Sequence, residues 1–218
     1  MIIGIILLLI ALAEFILGLY LIFSYQRSQA TMWYGLFALG ISFYVASNGL
    51  GYMQNNFYIA ERMGWLGGLM TAIFILPFSW TFPLPRKKVN EILPYVIWPL
   101  AVFVPGIFWT SIFLSGNGVI DYIKGYQTSP GPYFWFMLIF FFAYWIWALA
   151  NLVYRFTKSD GQHRWMLKMI LVGIGLSLLV SVVFDIIYPL VAISKIGYVG
   201  SLFSAIWLGF TSYIILKK

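Results

Sequence analysis

The chain has 218 residues, of which 62% are hydrophobic, 21% aromatic and only 9% charged, and its formal charge is +7. A soluble domain carries about 45–50% apolar and about 25% charged residues, so a water-soluble packed core is excluded, together with disordered, collagen-like and disulfide-stapled classes. With no cysteine and a single histidine, thiolate nucleophiles, cysteine-bound zinc, iron–sulfur clusters and bis-histidine haem are excluded as well.

A helix crossing roughly 30 Å of hydrocarbon needs about 20 predominantly apolar residues. In chain order, seven stretches qualify: Ile2–Ser24, Thr31–Met53, Tyr58–Phe82, Asn90–Leu114, Pro132–Phe156, Arg164–Tyr188 and Ser194–Leu216. The apolar runs are continuous and do not alternate, which favours helices over a barrel of strands. The expectation is an all-α membrane protein, a seven-transmembrane helix bundle forming one domain over residues 1–218. The first run lacks a basic leader and a small-residue cleavage site, so it is expected to be retained. The longest connection, Ser115–Gly131, is rich in turn residues and reads as a linker on the membrane or a lid over an outer pocket.

Ten of the 13 basic residues flank the odd connections and the C-terminus: Arg27, Arg86, Lys87, Lys88, Arg155, Lys158, Arg164, Lys168, Lys217 and Lys218. Only Arg62, Lys124 and Lys195 are assigned to the even side. Basic residues collect on the cytoplasmic side, which predicts an outer N-terminus and a cytoplasmic C-terminus. The surplus positive charge then serves topology and contact with anionic lipid, and gives no reason to expect nucleic acid.

Two acids fall inside the runs beyond their first turn, Glu14 and Asp185. Ionisable groups in hydrocarbon are costly and are therefore candidates for function. Glu14 lies about 18 Å into the first run at 1.5 Å per residue, with no basic residue at matching depth. It must be neutral or reside in a watered cavity, either as helix-to-helix glue or as part of a binding site. Asp185 ends a stripe formed with Ser181, Ser177 and Gly173 at four-residue spacing, with Tyr188 nearby. Asn48 and Tyr44 stand one turn apart near the outer end of the second run. Glu14, Asn48, Asp185, Tyr44, Ser181 and Tyr188 are the candidate polar lining of a ligand site. Small residues that let helices approach form two further stripes, Ala60/Gly64/Gly68 and Gly197/Ser201/Ala205/Gly209. The tryptophans at run ends, such as Trp33, Trp80 and Trp165, suit an interfacial belt. The seventh run has no central lysine for a retinal Schiff base, and His163 falls in a connection. Neither HExxH, HxxxH, GxSxG nor a Walker motif occurs, so no catalytic residue, metal or cofactor is expected.

Several motifs occur together. Residues 58–67 read YIAERMGWLG, and Pro77 to Pro83 follow as PFSWTFP. Gly131-Pro132-Tyr133-Phe134 opens the fifth run, and Gln162-His163-Arg164-Trp165-Met166-Leu167 the sixth. The seventh holds Gly200-Ser201-Leu202-Phe203-Ser204 and Ser212-Tyr213-Ile214-Ile215. In this order and over nearly the whole chain, they resemble the N-terminal seven-transmembrane sensor region of bacterial histidine kinases. The resemblance implies a sensor in the inner membrane of a prokaryote, responding to an extracellular or membrane-borne small ligand and signalling through its seventh helix. It also implies a homodimer or a cytoplasmic signalling partner, within membrane lipid. The kinase part that follows in that family is absent from this sequence, so an isolated sensor module or a stand-alone relative is expected. The residues alone leave two alternatives, a small-solute or ion transporter and a ligand-free structural or assembly protein. The halves show no repeat, and prolines cluster in the fourth run at Pro94, Pro99 and Pro105, which disfavours a hinged carrier.

Overall fold

In hydrocarbon every backbone N–H and C=O must be satisfied within the protein, and an uninterrupted apolar run does this by becoming helix. The computed structural model describes residues 2–24, 28–53, 58–85, 87–108, 131–181, 183 and 198–216, and for residues 58, 59, 61, 178, 181 and 198 the backbone alone. Among the described residues there are eight helices and no strand: α1 (Ile2–Phe23), α2 (Gln29–Gly51), α3 (Tyr58–Thr81), α4 (Val89–Ile92), α5 (Pro94–Phe108), α6 (Phe134–Lys158), α7 (Gly161–Ser181) and α8 (Tyr198–Leu216). Five stretches are long and apolar enough to cross a membrane: α1, α2, Arg62–Thr81 of α3, α6 and Val199–Leu216 of α8. The other two expected runs, Asn90–Leu114 and Arg164–Tyr188, continue into residues outside the described set. Within the first of these the structure divides the run at Leu93, because Pro94 has no N–H with which to continue α4.

Helix α1 buries one narrow stripe, Gly4, Leu7, Ala11, Glu14, Gly18 and Leu21, while Ile2, Leu9, Leu12, Ile16 and Tyr20 are exposed. Spacings of three and four keep that stripe on one side of the helix. It packs antiparallel on α2 through paired glycines. A Cβ on Gly18 would meet the carbonyl oxygen of Gly35 at 3.0 Å, and one on Gly49 would meet that of Gly4 at 3.1 Å. Helix α2 then uses its other side against α3, where an added Cβ on Gly40 would lie 3.0 Å from the Thr71 backbone nitrogen. Such close approach gives backbones van der Waals contact, which drives helix association where lipid supplies no hydrophobic force.

The structure places the small-residue contacts of α3 differently from the predicted stripe. Ala60 is buried, and a Cβ on Gly64 would strike the Ser47 hydroxyl. Gly68, however, has no neighbour within 4 Å of an added Cβ, and Gly67 instead lies against the backbone of Tyr44 and Gly40. On α8, Gly209 likewise has no such neighbour, while Ser201 is fully buried. Ala205 is half-buried, and Gly197 lies outside the described residues.

Arg155, expected in a charged connection, is 5% exposed. Its guanidinium donates to the carbonyl of Ser79 at 3.2 Å and also to those of Phe82 and Leu84. Because the last carbonyls of a helix lack intrahelical partners, a fixed cationic fork from α6 closes the end of α3. Arg62, also expected near a connection, lies buried within α3.

Candidate functional site

Helix α8 lies against α1, α2 and α7, and the buried Glu14, Ser201, Thr211 and Ser212 lie on the helices that meet there. The two helices α2 and α8 run antiparallel, so late α2 faces early α8 and early α2 faces late α8. At the first meeting point, Asn48 Nδ2 donates to Ser201 Oγ at 2.8 Å. At the second, the fully buried Tyr34 directs its hydroxyl to the Leu208 carbonyl at 3.4 Å, beside the hydroxyls of Thr211 and Ser212. Ser212 donates to the same carbonyl at 2.7 Å. Ser201 and Leu208 are seven residues apart on α8, about 10 Å along the helix at 1.5 Å per residue. The two contacts therefore pin α8 to α2 at well-separated depths.

Glu14 belongs with the second contact. It is 4% exposed, and its carboxyl is within electrostatic reach of the Tyr34 hydroxyl. Among the described residues neither of its oxygens has a hydrogen-bond partner, while the Thr211 hydroxyl faces that of Tyr34. Buried polar atoms without partners are costly, on the order of 1–3 kcal/mol each. Glu14 of α1 and Thr211 of α8 each act on Tyr34 of α2.

The predicted lining is thus split. Glu14 lies in the bundle interior, as its cost in lipid requires, but at the Tyr34 level and not beside Asn48. Asn48 is paired with Ser201, a residue expected only to pack. Tyr44 is half-buried, with its backbone nitrogen against Gly67 and its carbonyl accepting from the Ser47 hydroxyl at 2.7 Å. Asp185 and Tyr188 lie outside the described residues, as does the side chain of Ser181. Gly173, on the same predicted stripe, accommodates the indole of Trp207 directly on its backbone. That indole also stands edge-on to Phe37 at 5.6 Å and to Tyr34 at 6.3 Å.

Tyr34, Thr211 and Ser212 were not singled out from the sequence. The available signal was the adjacent hydroxyl pair Thr211-Ser212 in an otherwise apolar helix, since such groups seek partners across helices. Among the described residues no three acidic or imidazole side chains converge as a metal site would need.

The all-helical fold, the apolar helices and a polar junction confined to the interior define a multi-pass membrane protein. The family profile described as the N-terminal 7TM region of histidine kinase matches residues 6–216, and the chain belongs to that family, a membrane sensor region that stands apart from the kinase part. No curated protein matches it.

Proposed function

We propose that this chain is a single seven-span sensor domain whose input site is the junction of α1, α2 and α8. A small extracellular or membrane-borne ligand would bias the position of α8, and α8 would carry the change to a cytoplasmic output, in a homodimer or through a signalling partner. The observation that carries the reading is the buried Glu14 carboxyl at that junction, neither of whose oxygens has a partner among the described residues. A ligand shifts a conformational equilibrium only by its differential affinity for the two states. Groups left without partners in one arrangement of α8 are the ones that gain most from another arrangement or from a bound donor. Asn48–Ser201 and Tyr34–Leu208 are the contacts such a shift would break or remake. The loop charges support an outer N-terminus and a cytoplasmic C-terminus, and the histidine kinase sensor family supports residence in the inner membrane of a prokaryote.

The test joins the chain in frame, after Lys218, to a histidine kinase output domain and reads autophosphorylation in membranes. Glu14→Gln and Thr211→Val should each displace the signalling set-point, while Ile146→Ala on the exposed side of α6 should not. A set-point unmoved by both junction variants would remove the junction as the input site. In parallel, a reporter active only in the cytoplasm should be active after Lys218 and silent before Met1, and the opposite pattern would reverse the topology.

A further inference from the structure

The basic residues at the start of α7 do more than cluster. Arg164, Trp165 and Lys168 stand three, four and seven residues after Gly161, which places the four on one side of the helix. Together with Phe156 of α6 they line a hollow of about 360 Å³. A second hollow of about 350 Å³ adjoins it at Trp165 and is lined otherwise by Gln162 and Met166 of α7 and by Tyr213 and Ile214 of α8. Both volumes lie in the range of small-molecule sites, about 300–1,000 Å³. The first hollow is cationic and the second is largely apolar, so the pair is polarised across the Trp165 ring.

The parts of the cationic hollow are held in place. The Arg164 guanidinium sits over the Phe156 ring at 5.1 Å, a cation–π contact between two residues of the lining. Gly161 has φ +55 and no neighbour within 4 Å of an added Cβ. A side chain there would be strained and would fill the approach to the first turn of α7, whose partial positive charge adds to the two cations. Asp160, the acid of the α6–α7 turn, does not line the hollow. Trp165 and Tyr213 are 54% and 58% exposed, and Trp165 lies beside Arg164 and Lys168. Amphipathic rings with this exposure belong at the boundary between head groups and acyl chains.

We propose that the paired hollows form a binding site for an anionic phospholipid. Its phosphate is held by Arg164, Lys168 and the start of α7, and one acyl chain runs past Trp165 between α7 and α8. Charge complementarity selects the occupant: two cations and a helix start call for an anion, and the adjoining apolar hollow calls for a chain attached to it. A basic pocket between transmembrane helices at the level of the head groups is a recognisable lipid site. Because Tyr213 and Ile214 lie on α8, the lipid would brace the far end of that helix. The site requires only that the helices lie in a bilayer and is independent of the sensor reading.

The experiment is native mass spectrometry of the full chain in detergent, offered phosphatidylglycerol and phosphatidylcholine of identical chains in equal amounts. Phosphatidylglycerol adducts should predominate. Near a surface each cation contributes about a five-fold gain in affinity for anionic lipid, so Arg164→Ala should cut the preference about five-fold and the double Arg164→Ala/Lys168→Ala variant on the order of 25-fold. Both residues are exposed, so folding should be intact, which the melting temperature checks. Dibrominated phosphatidylglycerol should quench more tryptophan fluorescence in the wild type than in Trp165→Phe. Equal retention of the two lipids, or a preference unchanged in the double variant, would overturn the site. Displacement of the lipid by excess inorganic phosphate would show a free-anion site, and lipid-independent disulfide cross-linking of the Trp165→Cys variant between two chains would show a second copy there; either result overturns the proposal.

Discussion

Gly67 and Gly68 are neighbours in α3, and the structure expects opposite outcomes when each is changed to alanine. A Cβ at Gly67 would lie 2.7 Å from the Gly40 carbonyl oxygen and 3.0 Å from the Tyr44 Cα. These are backbone atoms and cannot rotate aside, so α2 and α3 must separate along their shared length. Overpacking typically costs 1–3 kcal/mol, and rigid neighbours place Gly67→Ala near the upper end, about 2–3 kcal/mol. At Gly68 the added methyl meets nothing within 4 Å. There the substitution only removes the entropic penalty of glycine within a helix, a gain of roughly 0.5–1 kcal/mol. The net contrast between adjacent positions is about 3 kcal/mol. Reversible unfolding of the purified chain in mixed micelles, titrated with a denaturing detergent and followed by tryptophan fluorescence, would measure it. Equal effects of the two substitutions, or a greater loss at Gly68, would show that α3 presents a different side to α2.

Two further expectations follow from the same geometry. Arg155→Met should destabilise the chain by at least about 2 kcal/mol, since hydrogen bonds to charged groups contribute about 1.5–3 kcal/mol, and Arg155→Lys should not restore stability because an ammonium lacks the fork that spans several carbonyls; recovery of the wild-type unfolding midpoint in the lysine variant would refute the cap. A double-mutant cycle of Asn48→Leu and Ser201→Ala should give a coupling of about 0.6 kcal/mol and no more than about 1.7 kcal/mol, the average and the maximum for interhelical hydrogen bonds in membranes. Additive single effects in that cycle would mean that the Asn48–Ser201 contact does not form in the membrane.

The helices themselves were legible because hydrocarbon permits so little else. Length and apolarity alone mark α1, α2, α3, α6 and α8, and the motifs from Tyr58 to Ile215 carried the resemblance to the sensor family to which the chain belongs. The inward placement of Glu14 was legible for a related reason: an acid facing lipid has nothing to offset its cost. Its partners were not, because a helix presents each residue at one angle and the sequence does not say which neighbouring helix that angle meets. Asn48 and Glu14 looked like one outer lining, yet α8 meets Asn48 through Ser201 and Glu14 through the Tyr34 level. Likewise, four-residue spacing selected Gly68 with Gly64, whereas the crossing of α2 over α3 selects Gly67. Arg155 read as a loop charge until the end of α3 was brought within its reach. Composition and periodicity determine which segments enter the membrane as helices. Which face of each helix is buried, and which polar groups it brings together, depends on crossing angles and register between segments distant in sequence, and only the packed bundle decides those.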